Sequence, residues 1–311
     1  MKKKLFIVLS LLSCICLFSS CGNKVPKVGD IRDSFPEVLG SDTDLPEDTE
    51  YMTANFDDSV FESDVNIYYG ASRYSSEYEK DILKKLGYSK GNIKTDTFFD
   101  SKTNEYEKGN DSLSINKEKG SFFLYKGLIG LDKITDIDYF NALGESKLKE
   151  FGFLPDSYSL EGYVRVGSGD LSDTYSYTDI YGPRFAQRID DKVVIGAGSV
   201  WIAFNSNEEI AQIKSSWLDP IYAATAKTLS YEEAYARIGG SYSYIDHNLS
   251  SPLTKVVFDN VQLVYYKNPD YDYYIPMFRF EGTAYAGDKH DEIFAYVIAI
   301  ENLTDDMIIN Q

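Results

Sequence analysis

The residues that could do catalytic chemistry in this sequence are few, and none of them belongs to a complete catalytic motif. Its two histidines, His247 and His290, lie in predicted turns, outside any HExxH pattern and away from every cysteine. A zinc site is therefore not expected. The residues around Ser199 do not fit the G-x-S-x-G elbow of serine hydrolases. We predict no catalytic residue, no metal site and no cofactor.

Two stretches spell the S-x-x-K pattern of serine acyl-enzymes, at residues 114–117 and 146–149. In such enzymes the serine opens a helix, so that the lysine lies one turn later and accepts its proton. The first stretch is predicted to run from a strand into a turn, and the second to lie late in a helix. We expect neither to be catalytic.

Cys21 is the last cysteine of the chain and the residue that says most about location. Three lysines, an apolar run at residues 5–18 and two serines precede it, as in a secretory signal. The junction resembles the lipobox of bacterial lipoproteins, although Phe18 replaces the usual aliphatic residue. The resemblance implies a signal peptide at 1–20 and a lipid on Cys21 that anchors the protein in the cell membrane, facing outside. A plain signal peptide and a retained anchor are the alternatives.

The charge and the cysteine content exclude several classes of function. The formal net charge is −18, whereas nucleic acids require a basic binding face, so no nucleic-acid partner is expected. No cysteine follows Cys21, which excludes disulfides and thiol catalysis in the body of the protein. The folded part must therefore be held together by its hydrophobic core.

Changes in composition divide the chain into segments. Residues 21–63 are acidic, contain Pro, Ser and Thr, and lack apolar periodicity, which predicts a disordered tether. Residues 64–225 are predicted to form an α+β domain of one or two helix-plus-strand units, and residues 226–311 one further unit.

Three segments have helical apolar spacing and begin with a capping-box pattern. The pairs that form the pattern are Ser76 with Glu79, Thr135 with Asp138, and Ser230 with Glu233. The glycines expected at or near the helix ends are Gly87, Gly152 and Gly239.

Strand-like alternation fills most of the remaining sequence and predicts an α+β fold with antiparallel sheets and a few packed helices. A strand, a polar turn and a returning apolar residue occur at 113–122, 200–210 and 297–308, which indicates a weak internal repeat. Pro276 interrupts one strand-like run, so that run is expected to start there or to lie at an edge.

The last unit resembles a PepSY-type domain, on the residues SYEEAYARI, YYIPMFRF and FAYVIAIEN. Residues 184–204 are similar to strands of YycH/YycI-type extracytoplasmic regulators, which carry a transmembrane anchor where this chain has a lipobox. The resemblance covers mainly residues 180–311. It implies repeated helix-plus-sheet units that regulate a peptidase or a membrane sensor and have no catalytic residues.

The stretch 265–278 is the candidate partner-binding strand. Alternation would place about half of its aromatic rings on one face, where they could accept a peptide strand by edge addition. Its candidate residues are Tyr265, Tyr271, Tyr273, Tyr274 and Phe278. The alternative is that these rings belong to the core.

These features together predict a lipid-anchored, non-enzymatic module that binds or regulates a protein or peptide partner outside the membrane. The alternatives are a hydrolase of cell-wall polymers that uses unidentified carboxylates, and a lipoprotein that captures a solute or glycan through its tyrosines. A regulator should present a broad exposed sheet face or edge, whereas an enzyme needs a cleft with converging carboxylates.

Overall fold

The computed structural model describes residues 45–46, 49–51, 58–93, 102–127, 134–166, 180–240, 243–267 and 273–300. The predicted signal peptide, Cys21, Tyr271 and the third hairpin at 297–308 lie wholly or mainly outside these ranges. No helix within them is long and apolar enough to span a membrane.

The three predicted helices are confirmed, with differences at their ends. They are α1 (Ser76–Leu86), α2 (Ile137–Phe151) and α3 (Tyr231–Ala236). The capping box of Ser230 and Glu233 is present at α3, which ends three residues before Gly239. The other two predicted caps are wrong by one residue, because Ser75 caps α1 and Asp136 caps α2. Gly87 and Gly152 adopt positive φ at the C-terminal ends of α1 and α2.

Fifteen strands lie in the described residues: β1 (Thr49–Tyr51), β2 (Asp64–Ala71), β3 (Thr103–Lys108), β4 (Asp111–Asn116), β5 (Phe122–Tyr125), β6 (Tyr158–Val166), β7 (Ile180–Ile189), β8 (Lys192–Gly196), β9 (Ser199–Phe204), β10 (Ile210–Ser215), β11 (Asp219–Lys227), β12 (Ser243–His247), β13 (Lys255–Lys267), β14 (Tyr273–Ala286) and β15 (Lys289–Ile298).

These strands form two connected sheets. The N-terminal sheet has the order β6-β7-β9-β10-β5-β4-β3, and the C-terminal sheet is built around β13 and β14 with β2, β11, β12 and β15. The β7–β8 hairpin joins them, because β8 also pairs with β13. The pairings are antiparallel except those of β1 and β8 with β13. The α+β expectation is therefore corrected to a mainly β protein with a mixed, unclosed sheet.

Each sheet has its own hydrophobic core. The N-terminal core holds Ile82 and Leu83 of α1 and Phe140 and Leu148 of α2 against one sheet face. The C-terminal core holds Ala234 of α3 against β13, β14 and β15. The burial of these apolar side chains is the main stabilising contribution to each half.

The folded body begins earlier than the predicted tether boundary at residue 63. Strand β1 pairs with β13, and the Phe61 ring lies 4.6 Å from the ring of Phe278 in the C-terminal core. Strand β2 also pairs with β11 and β14 of the C-terminal sheet, not with the N-terminal sheet. A few apolar residues near its end therefore attach the acidic segment to the C-terminal sheet.

Two of the predicted hairpins are confirmed, β4–β5 and β9–β10. Each turn begins with an asparagine whose side-chain oxygen accepts backbone N–H groups: Asn116 from Glu118 and Lys119, and Asn205 from Asn207 and Glu209. The two hairpins meet where β5 pairs with β10. Whether they derive from a repeat stays a prediction.

Pro276 lies inside β14, and its expected position at a strand start or edge is wrong. The residue is paired with Tyr265 of β13, and its carbonyl accepts the N–H of Ala299 on the other side. On that other side, β2 pairs with β14 up to Tyr274 and β15 pairs from Met277 onward. The proline, which has no N–H to donate, therefore lies at the position where pairing with β2 has ended and pairing with β15 has not yet begun.

Candidate binding surface

The predicted partner-binding strand lies in the protein interior. Tyr265, Tyr274 and Phe278 are fully buried, and Tyr273 is 8% exposed. Burial raises the pKa values of Tyr265 and Tyr274 far above the ordinary range of tyrosine. The neighbouring strands occupy both sides of β13 and β14. The prediction of an exposed aromatic face is thus wrong for the four described residues, because two-sided packing of the sheet encloses them.

A different sheet surface is accessible in part. The N-terminal sheet buries one face under α1 and α2, and none of the described helices packs on its other face, here called the outer face. The alternation along β4 and β5 sets this division: Leu113 and Leu124 point into the core, whereas Ser114 and Phe123 point outward. The outer face is not fully exposed: Ile180, Ala203 and Ala211 form a small buried cluster, and Trp201 packs against it.

One row of directly opposed residues crosses the outer face through six strands. Its members, from β7 to β3, are Arg184, Trp201, Lys214, Phe123, Ser114 and Glu105. The row places two cations and two aromatic rings beside each other and ends in a carboxylate at the sheet edge.

The two rings of this row form the centre of the outer face. The rings of Phe123 on β5 and Trp201 on β9 contact each other across β10, with centroids 5.9 Å apart and an angle of 62° between the ring planes. Both rings are only partly buried, and Tyr125, two residues beyond Phe123, is 43% exposed. Because aromatic rings lose little entropy on binding and bury a large area, such a cluster is suited to protein contact.

The cations of the row lie on either side of Trp201. Lys214 is exposed on β10. Arg184 donates to the carbonyl oxygen of Gly196 at 3.3 Å, which holds its guanidinium near the start of the row. The centre of the outer face is therefore locally positive on a protein whose net charge is −18.

The residues considered for catalysis are scattered through the structure. Ser199 is buried in β9, and His247 in β12 accepts the N–H of Leu249 through Nδ1. Lys149 of α2 is paired with Glu145 at 2.6 Å, so this lysine is engaged in an ion pair. Within the described ranges, no group of three or more histidine, cysteine, aspartate or glutamate side chains could hold a metal ion.

Trp201 was not among the residues predicted to bind a partner. The alternation along β9 that buries Val200, Ile202 and Phe204 in the N-terminal core also places Trp201 on the opposite face. The sequence did not indicate that this opposite face would be left open by the helices.

Neither a protein family nor a curated protein matches the chain. Among solved structures, the chain is similar to the Bacillus megaterium YpeB C-terminal domain, with 12% identity and a TM-score of 0.40. The match covers 77% of this chain and 100% of that domain. A likeness at this level carries no property of that domain over to this chain.

Proposed function

We propose that this protein is an extracytoplasmic lipoprotein that binds and regulates a partner protein through its outer face, without catalysing a reaction. The observation that carries the proposal is the partly exposed Phe123–Trp201 pair beside Lys214 and Arg184 on the outer face. Trp, Tyr and Arg are the residues that most often dominate the free energy of protein association.

The charge of the outer face defines the chemistry of the partner. Lys214 and Arg184 favour a partner segment with an acidic side chain next to apolar ones. Anionic polymers would meet the same two cations, but the strongly negative remainder of the protein would repel a long polyanion. A folded or peptide partner with a local acidic spot fits both conditions.

Crosslinking on intact cells, followed by purification and mass spectrometry, tests this proposal. We expect Trp201→Ala to lower recovery of the partner by about tenfold or more, as for loss of an interface hot spot. The matched control is Tyr139→Ala, which removes a 44% exposed tyrosine from α2, away from the outer face. Equal recovery with both variants, or turnover of muropeptides by the purified protein, would contradict the proposal.

The anchoring part of the proposal has a separate test. Cys21→Ser removes the sulfur that would carry the lipid, so the protein should leave the membrane fraction while its body stays folded. Mass spectrometry of the wild-type N-terminus should find diacylated Cys21. An intact N-terminus starting at Met1 would contradict the lipid anchor. It would not affect the proposal that the outer face binds a partner.

A further inference from the structure

A second group of aromatic and polar side chains lies on the C-terminal sheet, on the face opposite α3. Phe280 of β14 points toward α3, where its ring contacts Tyr235, so Arg279 and Glu281 point to the other side. We call this group the 279 platform and define it by six residues: Tyr244, Gln262, Arg279, Glu281, Phe294 and Tyr296. All six are partly buried and partly exposed.

The aromatic half of the platform consists of rings with similar orientation. Tyr244 of β12 lies directly opposite Tyr296 of β15, with centroids 5.8 Å apart and planes within 16°. Phe294 follows at 6.4 Å and 29° from Tyr296. Burial raises the pKa of Tyr296 to about 12, so its hydroxyl stays neutral.

The polar half of the platform is an ion pair held by amides. Arg279 and Glu281 are 2.5 Å apart, and Arg279 also donates to the side-chain oxygen of Gln262 at 3.2 Å. Glu281 accepts from Asn260 at 2.7 Å and from Gln262 at 3.3 Å. The Arg279 guanidinium lies 5.8 Å from the centre of the Phe294 ring. Donors and acceptors are therefore fixed beside the rings with no net charge.

We propose that the 279 platform binds a neutral oligosaccharide. A sugar hydroxyl can donate to Glu281 and accept from Arg279 at the same time, which a carboxylate or an ammonium group cannot do. The aromatic rings offer apolar surface to the C–H groups of a pyranose. The internal neutralisation of Arg279 by Glu281 and the nearby exposed Asp246 and Glu292 disfavour an anionic glycan.

This inference does not depend on the partner-binding role of the outer face. The two surfaces lie on different sheets and share no residue. A glycan site on one sheet would let the protein hold a wall or surface polysaccharide while the other sheet engages a protein.

Isothermal titration calorimetry on detergent-solubilised full-length protein tests the inference, with N-acetylchitohexaose and cellohexaose as neutral probes and hexagalacturonate as the anionic one. We expect at least one neutral probe to bind and the anion to bind more weakly. Tyr244→Ala and Glu281→Gln should each weaken the neutral probe by about tenfold, as for the loss of one well-placed contact. Tyr139→Ala on α2 is the matched control and should bind as the wild type does.

Thermal melting of each variant separates loss of binding from loss of folding, and Glu281→Gln keeps the size of the side chain for that reason. Absence of binding for both neutral probes, preference for hexagalacturonate, or wild-type binding by both folded variants would overturn the inference. Crosslinks from the platform to a protein partner in intact cells would also overturn it, in favour of a peptide at this site.

Discussion

Glu79 shows how one carboxylate can be accommodated in the N-terminal core. It is 5% exposed on α1 and accepts hydrogen bonds from Asn104 at 2.6 Å, from Tyr74 at 3.1 Å and from the hydroxyl of Tyr106. Burial alone would raise the pKa of Glu79, but the bonds from Tyr106, Asn104 and Tyr74 hold it below its ordinary value of 4.5. The ionised form is therefore the one that stabilises the fold.

Glu79→Gln should lower the free energy of unfolding by about 1–3 kcal/mol at neutral pH. The side-chain donors that now bind the carboxylate would then in part face the amide nitrogen of glutamine, which cannot accept a hydrogen bond. Since the pKa of Glu79 is lower in the folded state, its contribution is complete above the unfolded value of 4.5 and is lost as pH falls through the folded value. Urea titrations of both proteins from neutral pH downward measure this difference. A difference that does not shrink under acidic conditions would contradict the account.

Gly144 sets how closely α2 can approach the N-terminal sheet. A Cβ atom built there would lie 2.4 Å from Cγ of Pro183 and 3.1 Å from Cγ2 of Ile202. Glycine normally weakens a helix by about 1 kcal/mol relative to alanine, so its presence here is explained by packing.

Gly144→Ala should therefore destabilise the protein by about 1–3 kcal/mol, despite the better helix propensity of alanine. Ser146→Ala, on the exposed side of the same helix, is the control and should be neutral or slightly stabilising. Chemical denaturation of the two variants measures both effects. A stabilising Gly144→Ala would mean that α2 lies farther from the sheet than the structure places it.

Local elements were predictable from the sequence, whereas their pairing was not. Helix α3 and the β4–β5 and β9–β10 hairpins follow from capping and alternation, which act within a few residues. The pairing of β5 with β10, or of β2 with β14, depends on register between distant strands, which alternation alone does not specify. For the same reason, Arg279 and Glu281 could be placed on one face of a strand but not beside Gln262 and Tyr296.

The two cores meet at a buried polar cluster. The Tyr274 hydroxyl lies 2.9 Å from the side-chain oxygen of Gln187 and 2.9 Å from the carbonyl oxygen of Leu218, and it accepts the Leu218 N–H at 3.2 Å. Gln187 in turn donates to the Leu218 carbonyl at 2.9 Å. Strand β14, strand β7 and the segment before β11 are thus joined through one hydroxyl.

Tyr274→Phe should lower the free energy of unfolding by about 1–3 kcal/mol, because it leaves the Leu218 N–H without its acceptor in a buried site. The control is Tyr285→Phe, which removes the hydroxyl of a 36% exposed tyrosine on the same strand. Denaturation followed by tryptophan fluorescence would report the loss, since Trp217 is adjacent to the cluster in sequence. Equal stability of the two variants would show that the cluster does not hold the cores together.

At the scale of the whole molecule, the two sheets differ in how their faces are covered. The aromatic stretch 265–278 was the conspicuous candidate in the sequence, but its described residues are buried on both faces of this part of the C-terminal sheet. In the N-terminal sheet, α1 and α2 pack on one face, and none of the described helices packs on the outer face.

Site-specific photo-crosslinking in intact cells tests the central claim most directly. A photoreactive residue at Tyr125 should give a discrete protein adduct that weakens when Trp201→Ala is introduced, whereas the same probe at Tyr139 on α2 should give none. Adducts of equal yield at both positions, or no adduct at Tyr125, would contradict the outer face as the partner-binding surface.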